Sequence, residues 1–177
     1  MTAYALQSSN VASYTFGGSG STSNNYILAS NNNPILNIAG DTWTIECWVK
    51  PTGNYTNNNH IFAKRPTTNL PTAYNGYITT AGYPAWVTNA GPDIIATGFR
   101  LSPNVWNHIA YVNNGSNVRI FLNGSNVASG LTTVSGNGNV DSVFAIGFLP
   151  SVPASSQFFG EISNFRIIKS QAIYSDN

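Results

Sequence analysis

The chain has 177 residues, of which 42% are apolar and only 7% are charged. A chain of this length can bury one sizeable core, so a single domain over residues 1–177 is predicted. Seven Lys and Arg against six Asp and Glu leave a net charge of +1, which argues against nucleic-acid binding. No apolar run approaches the ~20 residues of a membrane-spanning helix, so membrane insertion is not expected.

The sequence is rich in Asn, Ser, Thr, Gly, β-branched and aromatic residues, and helical periodicity is almost absent. Short strand-like segments alternate with turn clusters, which predicts an all-β, antiparallel β-sandwich. In chain order the predicted strands are Ser13 to Phe16, Tyr26 to Leu28, Trp43 to Lys50, Ile61 to Lys64, Gly76 to Thr79, Ala85 to Thr88, Ile94 to Phe99, Asn107 to Val112, Asn117 to Leu122, Val127 to Ser129, Ser142 to Gly147 and Phe158 to Ile168.

The strand from Trp43 to Lys50 shows the clearest alternation. Its apolar face, predicted to point into the core, consists of Trp43, Ile45, Cys47 and Val49, and its other face of Thr44, Glu46, Trp48 and Lys50. Cys47, the single cysteine, is therefore predicted to be a packed core residue and not a nucleophile. Glu46 is expected to pair with a base such as Lys50 or Arg166. A similar alternation places Val118, Ile120 and Leu122 on one aliphatic face, after a hairpin loop at residues 113–116.

Six separated segments carry motifs in a familiar order. They are Trp43 to Pro51, Ile61 to Lys64, Trp106 to Tyr111, Val118 to Gly124, Phe144 to Gly147 and Phe159 to Ile168. Together they resemble the strand motifs of laminin-G-like domains, such as W-x-H-[IV]-A for the segment that begins at Trp106. The resemblance implies a concanavalin-A-like jelly roll of the lectin and glucanase type.

The closing segment, Ile162 to Tyr174, resembles an ending common in such domains from tailed bacteriophages, including marine and cyanobacterial ones. There they occur in tail fibres and other virion surface proteins. Residues 1–6 show neither the basic region nor the apolar stretch of a secretory signal peptide. The resemblance therefore implies a protein of the virion surface that is made in the host cytoplasm.

The chain has few residues suited to catalysis, with only six acidic residues and two histidines. Retaining glycoside hydrolysis needs two carboxyl groups about 5 to 5.5 Å apart, and related jelly-roll enzymes supply them as Glu-x-Asp-x-x-Glu on one strand. Here the six acidic residues are separated along the sequence, so an enzyme is not predicted. A glycosidase remains an alternative only if the fold brings two carboxylates close together. His108 could be a base or a ligand, but its parity with Trp106 and Ala110 favours an inward, hydrogen-bonded structural residue. His60 is predicted to be a solvated loop residue.

No cofactor is expected, although calcium is an open alternative because many laminin-G-like domains bind it. Calcium takes six to eight oxygen ligands, usually including carboxylates. The family often has an Asp after its first Phe, whereas this chain has Phe16 followed by Gly17. Asp93 and Asp141 remain weak candidate ligands, because an Asp in such a loop is more often a turn residue that stabilises its own loop.

Sugar recognition requires aromatic faces for stacking and amide or hydroxyl groups for hydrogen bonding. The candidate carbohydrate-binding residues are Trp86, Tyr83, Tyr77, Tyr74 and Tyr55, which lie among Asn, Thr and Gly. Trp86 or Tyr83 is the candidate for an exposed stacking platform. The alternative is that two or three of these rings belong to the core, where most aromatic side chains of a sandwich lie.

Three hypotheses for function follow. The first is a non-catalytic bacteriophage surface module, in a fibre or a capsid decoration, that binds host-surface carbohydrate in several copies per particle. The second is a purely structural virion protein that contacts neighbouring virion proteins or forms homo-oligomers and binds no glycan. The third, a glycoside hydrolase, is remote.

Overall fold

The computed structural model describes residues 3–5, 13–17, 26–29, 33–66, 73–88, 91–131, 142–150 and 156–175. The strands found there are β1 (Ala3–Ala5), β2 (Tyr14–Phe16), β3 (Ile27–Ala29), β4 (Trp43–Pro51), β5 (Asn59–Pro66), β6 (Tyr74–Ile78), β7 (Pro84–Thr88), β8 (Ile94–Ile95), β9 (Asn107–Asn113), β10 (Val118–Leu122), β11 (Ser125–Gly130), β12 (Ser142–Ile146) and β13 (Gly160–Lys169). The one helix among these residues is a 3₁₀ turn at Pro34–Leu36, far too short to span a bilayer.

The strands form two antiparallel sheets. The large sheet has the order β1-β13-β4-β9-β10-β11, with β2 also paired to β13, and the small sheet has the order β3-β12-β5-β6-β7-β8. Strands that are neighbours in space are often distant in sequence, as when β13 pairs with both β4 and β2. The predicted antiparallel β-sandwich is confirmed.

The core lies between the two sheets and confirms the alternation predicted for β4. Trp43, Ile45, Cys47 and Val49 are all buried in it. Burial raises the pKa of the Cys47 thiol, which agrees with a packing role. Aromatic side chains dominate the centre, where the rings of Trp43 and Trp86 lie 4.8 Å apart.

Most predicted strands agree with the structure to within a few residues, and the hairpin between β9 and β10 is confirmed. The prediction is wrong for the second half of the segment from Ile94 to Phe99. Only Ile94–Ile95 is a strand, because the chain then turns at Gly98, which has φ +91°, and the Phe99 amide donates to the Ala96 carbonyl. The short strand β1 was not predicted.

The outer face of the large sheet, which points away from the small sheet, is partly covered by the C-terminal segment 171–175. Thr44 is fully buried there, because its hydroxyl donates to the Gln171 carbonyl and accepts from the Ile173 amide. A second apolar cluster forms beneath this segment from Ala110, Val112, Phe121, Ala172 and Tyr174. Toward the other end of β4, the Trp48 side chain on this outer face is 42% exposed.

Candidate functional site

Trp86 and Tyr74 are core residues, so the hypothesis of a stacking platform at Trp86 is wrong. Trp86 is fully buried and stacks on Tyr74 with ring centroids 5.8 Å apart. Gly76 lies opposite Trp86 in the register of β6 and β7. A Cβ at Gly76 would lie within 3 Å of the Phe62 ring, so the missing side chain makes room for the aromatic core. No sugar ring can reach either face of this indole.

The other three candidate tyrosines do not form an open platform together. The Tyr77 hydroxyl is buried and donates to Asp93 Oδ2 at 2.8 Å. Tyr55 is also buried, with the Arg100 guanidinium 5.5 Å from its ring centroid. Tyr83 is half-buried, and a role for it in sugar binding stays a prediction.

One of the two candidate calcium ligands, Asp93, lies among the described residues. Asp93 is exposed and one of its carboxylate oxygens accepts from Tyr77, while Asp141 lies outside the described residues. Within the ranges that the structure describes, no three His, Cys, Asp or Glu side chains are grouped for a metal. Asp93 alone supplies one carboxylate, fewer hard oxygen donors than calcium usually takes from a protein.

Both histidines differ from their predicted positions. His60 lies in β5 and is buried, and desolvation lowers its pKa to about 4, so it is neutral at pH 7. His108 is hydrogen-bonded as expected, but it faces outward. Its neighbours Ile109 and Tyr111 occupy the core, and Ala110 belongs to the outer cluster. Ala110 is apolar but does not mark the inner face, because it packs against Ala172 and Tyr174 on the outer side of the sheet.

The exposed tryptophans are Trp48 and Trp106, which sequence reasoning did not select. Trp48 is 42% exposed on the outer face of β4, and Trp106, 37% exposed, immediately precedes β9. Trp48 pairs with His108 in the register, so Trp106 is its diagonal neighbour, at a distance of roughly 7 to 8 Å between backbones. Strand alternation was the signal that could have found Trp48, since it had already placed this residue on the face opposite the core.

Lys50 follows Trp48 on the outer face of β4 and binds Glu161. Its ammonium is 2.8 Å from Glu161 Oε1 and 6.0 Å from the Trp106 ring centroid. The register of β13 places Glu161 opposite both Lys50 and Thr15. Hydrogen bonds from Lys50 and Ser13 lower the pKa of the Glu161 carboxyl. We call Trp48, Lys50, Trp106 and His108 the Trp48 face.

A groove adjoins the Trp48 face and shares Lys50 with it. This Lys50 groove has a volume of about 520 Å³ and is lined by Thr15, Phe16, Gly17, Lys50, Thr52, Asn54, Asn104, Phe159, Gly160 and Glu161. Asn104 is exposed, and its backbone N–H donates to the Pro51 carbonyl at 2.7 Å. Gly160 has φ +146°, and a Cβ there would lie 2.2 Å from the Lys50 carbonyl oxygen. The close approach of β13 and β4 at the groove therefore requires glycine.

Glu46 is a buried carboxylate on β4, two residues before Trp48 and on the side of Trp48 away from Lys50. It accepts hydrogen bonds from His108 Nε2, at 2.9 Å, from the Tyr174 hydroxyl and from Arg166 Nε. Burial alone would raise the pKa of Glu46, but these hydrogen bonds and the Arg166 charge lower it to about 2. The expected pairing of Glu46 with Arg166 is confirmed, whereas Lys50 pairs with Glu161 instead. Glu46 thus fixes the His108 ring 5.3 Å from the Trp48 ring.

A β-bulge in β13 brings Arg166 to this position. The register between β13 and β4 shifts between Ser163 and Arg166, and Asn164 there has φ +50°. One extra residue reverses the alternation, so Phe165 packs in the core and Arg166 faces outward opposite Glu46.

The described carboxylates are not paired for glycoside hydrolysis. Glu46 and Glu161 share the outer face, but Glu161 pairs with Lys50, which lies four residues from Glu46 along β4. That places their backbones about 13 Å apart. Each carboxylate is also bound to its own cation, Arg166 for Glu46 and Lys50 for Glu161.

Two antiparallel sheets enclosing one aromatic core define a concanavalin-A-like β-sandwich. A laminin-G family model matches residues 19–172, and the chain belongs to the Concanavalin A-like lectin/glucanases superfamily. No curated protein matches the chain in sequence.

Solved structures share the fold at low identity. The CBM40 of Ruminococcus gnavus IT-sialidase, bound to α2,3-sialyllactose, is 19% identical with a TM-score of 0.61, covering 85% of this chain and 91% of that one. Domain 4 of the GH43 arabinanase of Geobacillus stearothermophilus, in complex with arabinotriose, is 19% identical with a TM-score of 0.55, covering 76% and 63%. NanB sialidase of Streptococcus pneumoniae is 16% identical with a TM-score of 0.66, covering 94% and 26%. The chain thus spans less than two thirds of the latter two structures.

Proposed function

We propose that the chain is a non-catalytic carbohydrate-binding module whose glycan lies on the Trp48 face and extends into the Lys50 groove. The observation that carries this proposal is the exposure of two indoles, Trp48 and Trp106, on one face beside a polar groove. Exposed aromatic rings cost free energy in water, and a sugar ring covers them through its apolar C–H face.

The polar groups around the indoles suit sugar hydroxyls. The groove supplies the amides of Asn54 and Asn104, the hydroxyls of Thr15 and Thr52, and the Lys50 ammonium. Its volume lies within the roughly 300 to 1,000 Å³ of ordinary ligand sites. The carbohydrate-binding module and the arabinotriose-bound domain among the similar structures support the same class of ligand.

The proposal extends to a bacteriophage surface, supported by the resemblance of Ile162 to Tyr174 to virion domains. In a tail fibre or a capsid decoration, several copies would bind host-surface glycan together, which multiplies a weak individual affinity. The competing proposal is a scaffold that makes only protein contacts with neighbouring virion proteins or with further copies of itself.

A glycan array that includes host-envelope polysaccharides tests the proposal, with Trp48→Ala and Trp106→Ala beside the unaltered chain. We expect saturable binding by the unaltered chain and at least about a tenfold loss in each variant. Tyr26→Ala is the matched control, because Tyr26 is 39% exposed next to β3 of the small sheet. Absence of all binding favours the scaffold. Repeating the assay with calcium and with chelator tests whether calcium is needed for binding, with Asp93 and Asp141 as the candidate ligands.

A further inference from the structure

We propose that the Trp48 face and the Lys50 groove select uncharged sugars and discriminate against sugars that carry a carboxylate. This inference rests on the proposed function and adds the class of ligand. Its basis is that two cations and two carboxylates border the site, and that each cation is already bound to a carboxylate of the chain.

The first ion pair joins Lys50 and Glu161. The two side chains are 34% and 29% exposed, so solvent and ligand reach both. An acidic sugar that approached the Lys50 ammonium would meet a charge that is already neutralised by Glu161, which the pairing of β13 with β4 holds beside Lys50. It would also place a second negative charge within a few ångströms of Glu161, a repulsion that water screens only in part.

The second ion pair joins Arg166 and Glu46 on the opposite side of Trp48. Only 3% of the Glu46 side chain is exposed. Its carboxylate accepts hydrogen bonds from Arg166, His108 and Tyr174. Displacing it from Arg166 would leave a buried carboxylate with fewer partners, which is strongly unfavourable. Arg166 is therefore not available to an incoming carboxylate as an uncompensated charge.

The next cation on the outer face is more distant. Arg119 lies opposite Val112, four residues along β9 from His108, so its backbone is about 13 Å from that histidine. Among the residues that the structure describes, the formal charges of Lys50, Glu161, Arg166 and Glu46 at the Trp48 face therefore sum to zero.

Uncharged sugars gain from the same ion pair. The Lys50 ammonium can donate to one hydroxyl oxygen while the Glu161 carboxylate accepts from the neighbouring hydroxyl, so a vicinal diol meets both partners. These charge-assisted hydrogen bonds need no net charge on the ligand. Further contacts come from the side-chain amides of Asn54 and Asn104 and from the two indoles. These groups are uncharged and do not require a charge on the sugar.

The test compares neutral sugars with related sugars that carry carboxylates. Dissociation constants are measured for lactose against α2,3-sialyllactose, and for oligomers of galactose against oligomers of galacturonic acid. We expect the unaltered chain to bind the neutral member of each pair about tenfold more tightly. Glu161→Gln leaves Lys50 without its counter-charge, and we expect it to gain affinity for the acidic member, in a way that falls with added salt. Ser13→Ala removes a hydrogen bond to Glu161 without changing the charge, and it should keep the preference.

Three results overturn the inference, and they can be told apart. Tighter binding of acidic sugars by the unaltered chain, lost in Trp48→Ala, overturns the selectivity but leaves the carbohydrate-binding function intact. An unchanged preference in folded Glu161→Gln shows that the Lys50 and Glu161 pair does not set it. Failure to bind any glycan on the array overturns both the inference and the proposed function.

Discussion

Trp48 lies directly opposite His108 on neighbouring strands, and their ring centroids are 5.3 Å apart. The His108 ring is hydrogen-bonded to Glu46, which also binds Arg166 of β13 and Tyr174 of the C-terminal segment. One buried carboxylate therefore links the exposed indole to β13 and to the C-terminal segment.

Acid should destabilise the fold through Glu46. Its pKa is about 2 in the folded chain against an ordinary value of 4.5, so the carboxylate stabilises the fold at pH values above 4.5 and loses this contribution as the pH falls toward 2. The shift corresponds to about 3 kcal/mol. Glu46→Gln should lower the free energy of unfolding at pH 7 and flatten its decline between pH 5 and pH 2, measured by urea unfolding. An acid profile identical to that of the unaltered chain would show that Glu46 is not responsible.

The Tyr174 hydroxyl and the Tyr174 ring should contribute separately. Tyr174→Phe removes the hydrogen bond to Glu46 but keeps the ring near Phe121, where the centroids are 5.6 Å apart. We expect a loss of about 1 kcal/mol, and a further loss of about 1 to 2 kcal/mol in Tyr174→Ala, which also removes apolar contact. Equal stability of the two variants would show that the ring adds nothing.

Gly160→Ala should be strongly destabilising. The new Cβ would lie 2.2 Å from the Lys50 carbonyl, and φ +146° is unfavourable for an L-residue, so we expect a loss above about 2 kcal/mol. Gly98→Ala is the control, because its φ is also positive but no atom lies within 4 Å of its Cβ position. It should cost about 1 kcal/mol. Similar thermal unfolding of the two variants would contradict the close approach of β13 and β4.

The four tryptophans should divide into two classes of stability effect. Trp86→Ala opens a cavity among Trp43, Tyr74 and Phe62, and we expect a loss of about 3 to 5 kcal/mol. Trp48→Ala removes an exposed ring and should cost less than about 1 kcal/mol. Chemical denaturation of both variants measures the difference, and comparable losses would place Trp48 in a packed environment.

The sequence predicted the sandwich and the inner face of β4, because strict alternation in a nine-residue strand leaves little choice of register. The sequence did not show that Trp48, and not Trp86, is exposed for stacking against a sugar. The segment around Trp86 carries no comparable alternation, and Gly76, which lies opposite Trp86 on the neighbouring strand, has no side chain that would mark the inner face.

The ion pairs depended on features that alternation cannot show. The bulge at Asn164 reverses the direction of Arg166 relative to a regular strand. Lys50 and Glu46 lie four residues apart, which on a helix would favour pairing but on a strand separates them by about 13 Å. Lys50 therefore pairs with Glu161 from the strand beside it.

The central claim, that glycan binds the Trp48 face, can be tested by NMR on the four indole N–H signals. Each is assigned by Trp→Phe substitution, and a glycan that the array identifies is titrated in. We predict progressive shifts of the Trp48 and Trp106 signals, with the buried Trp43 and Trp86 signals nearly unchanged. Saturable binding that leaves the Trp48 and Trp106 signals in place would contradict glycan binding at the Trp48 face.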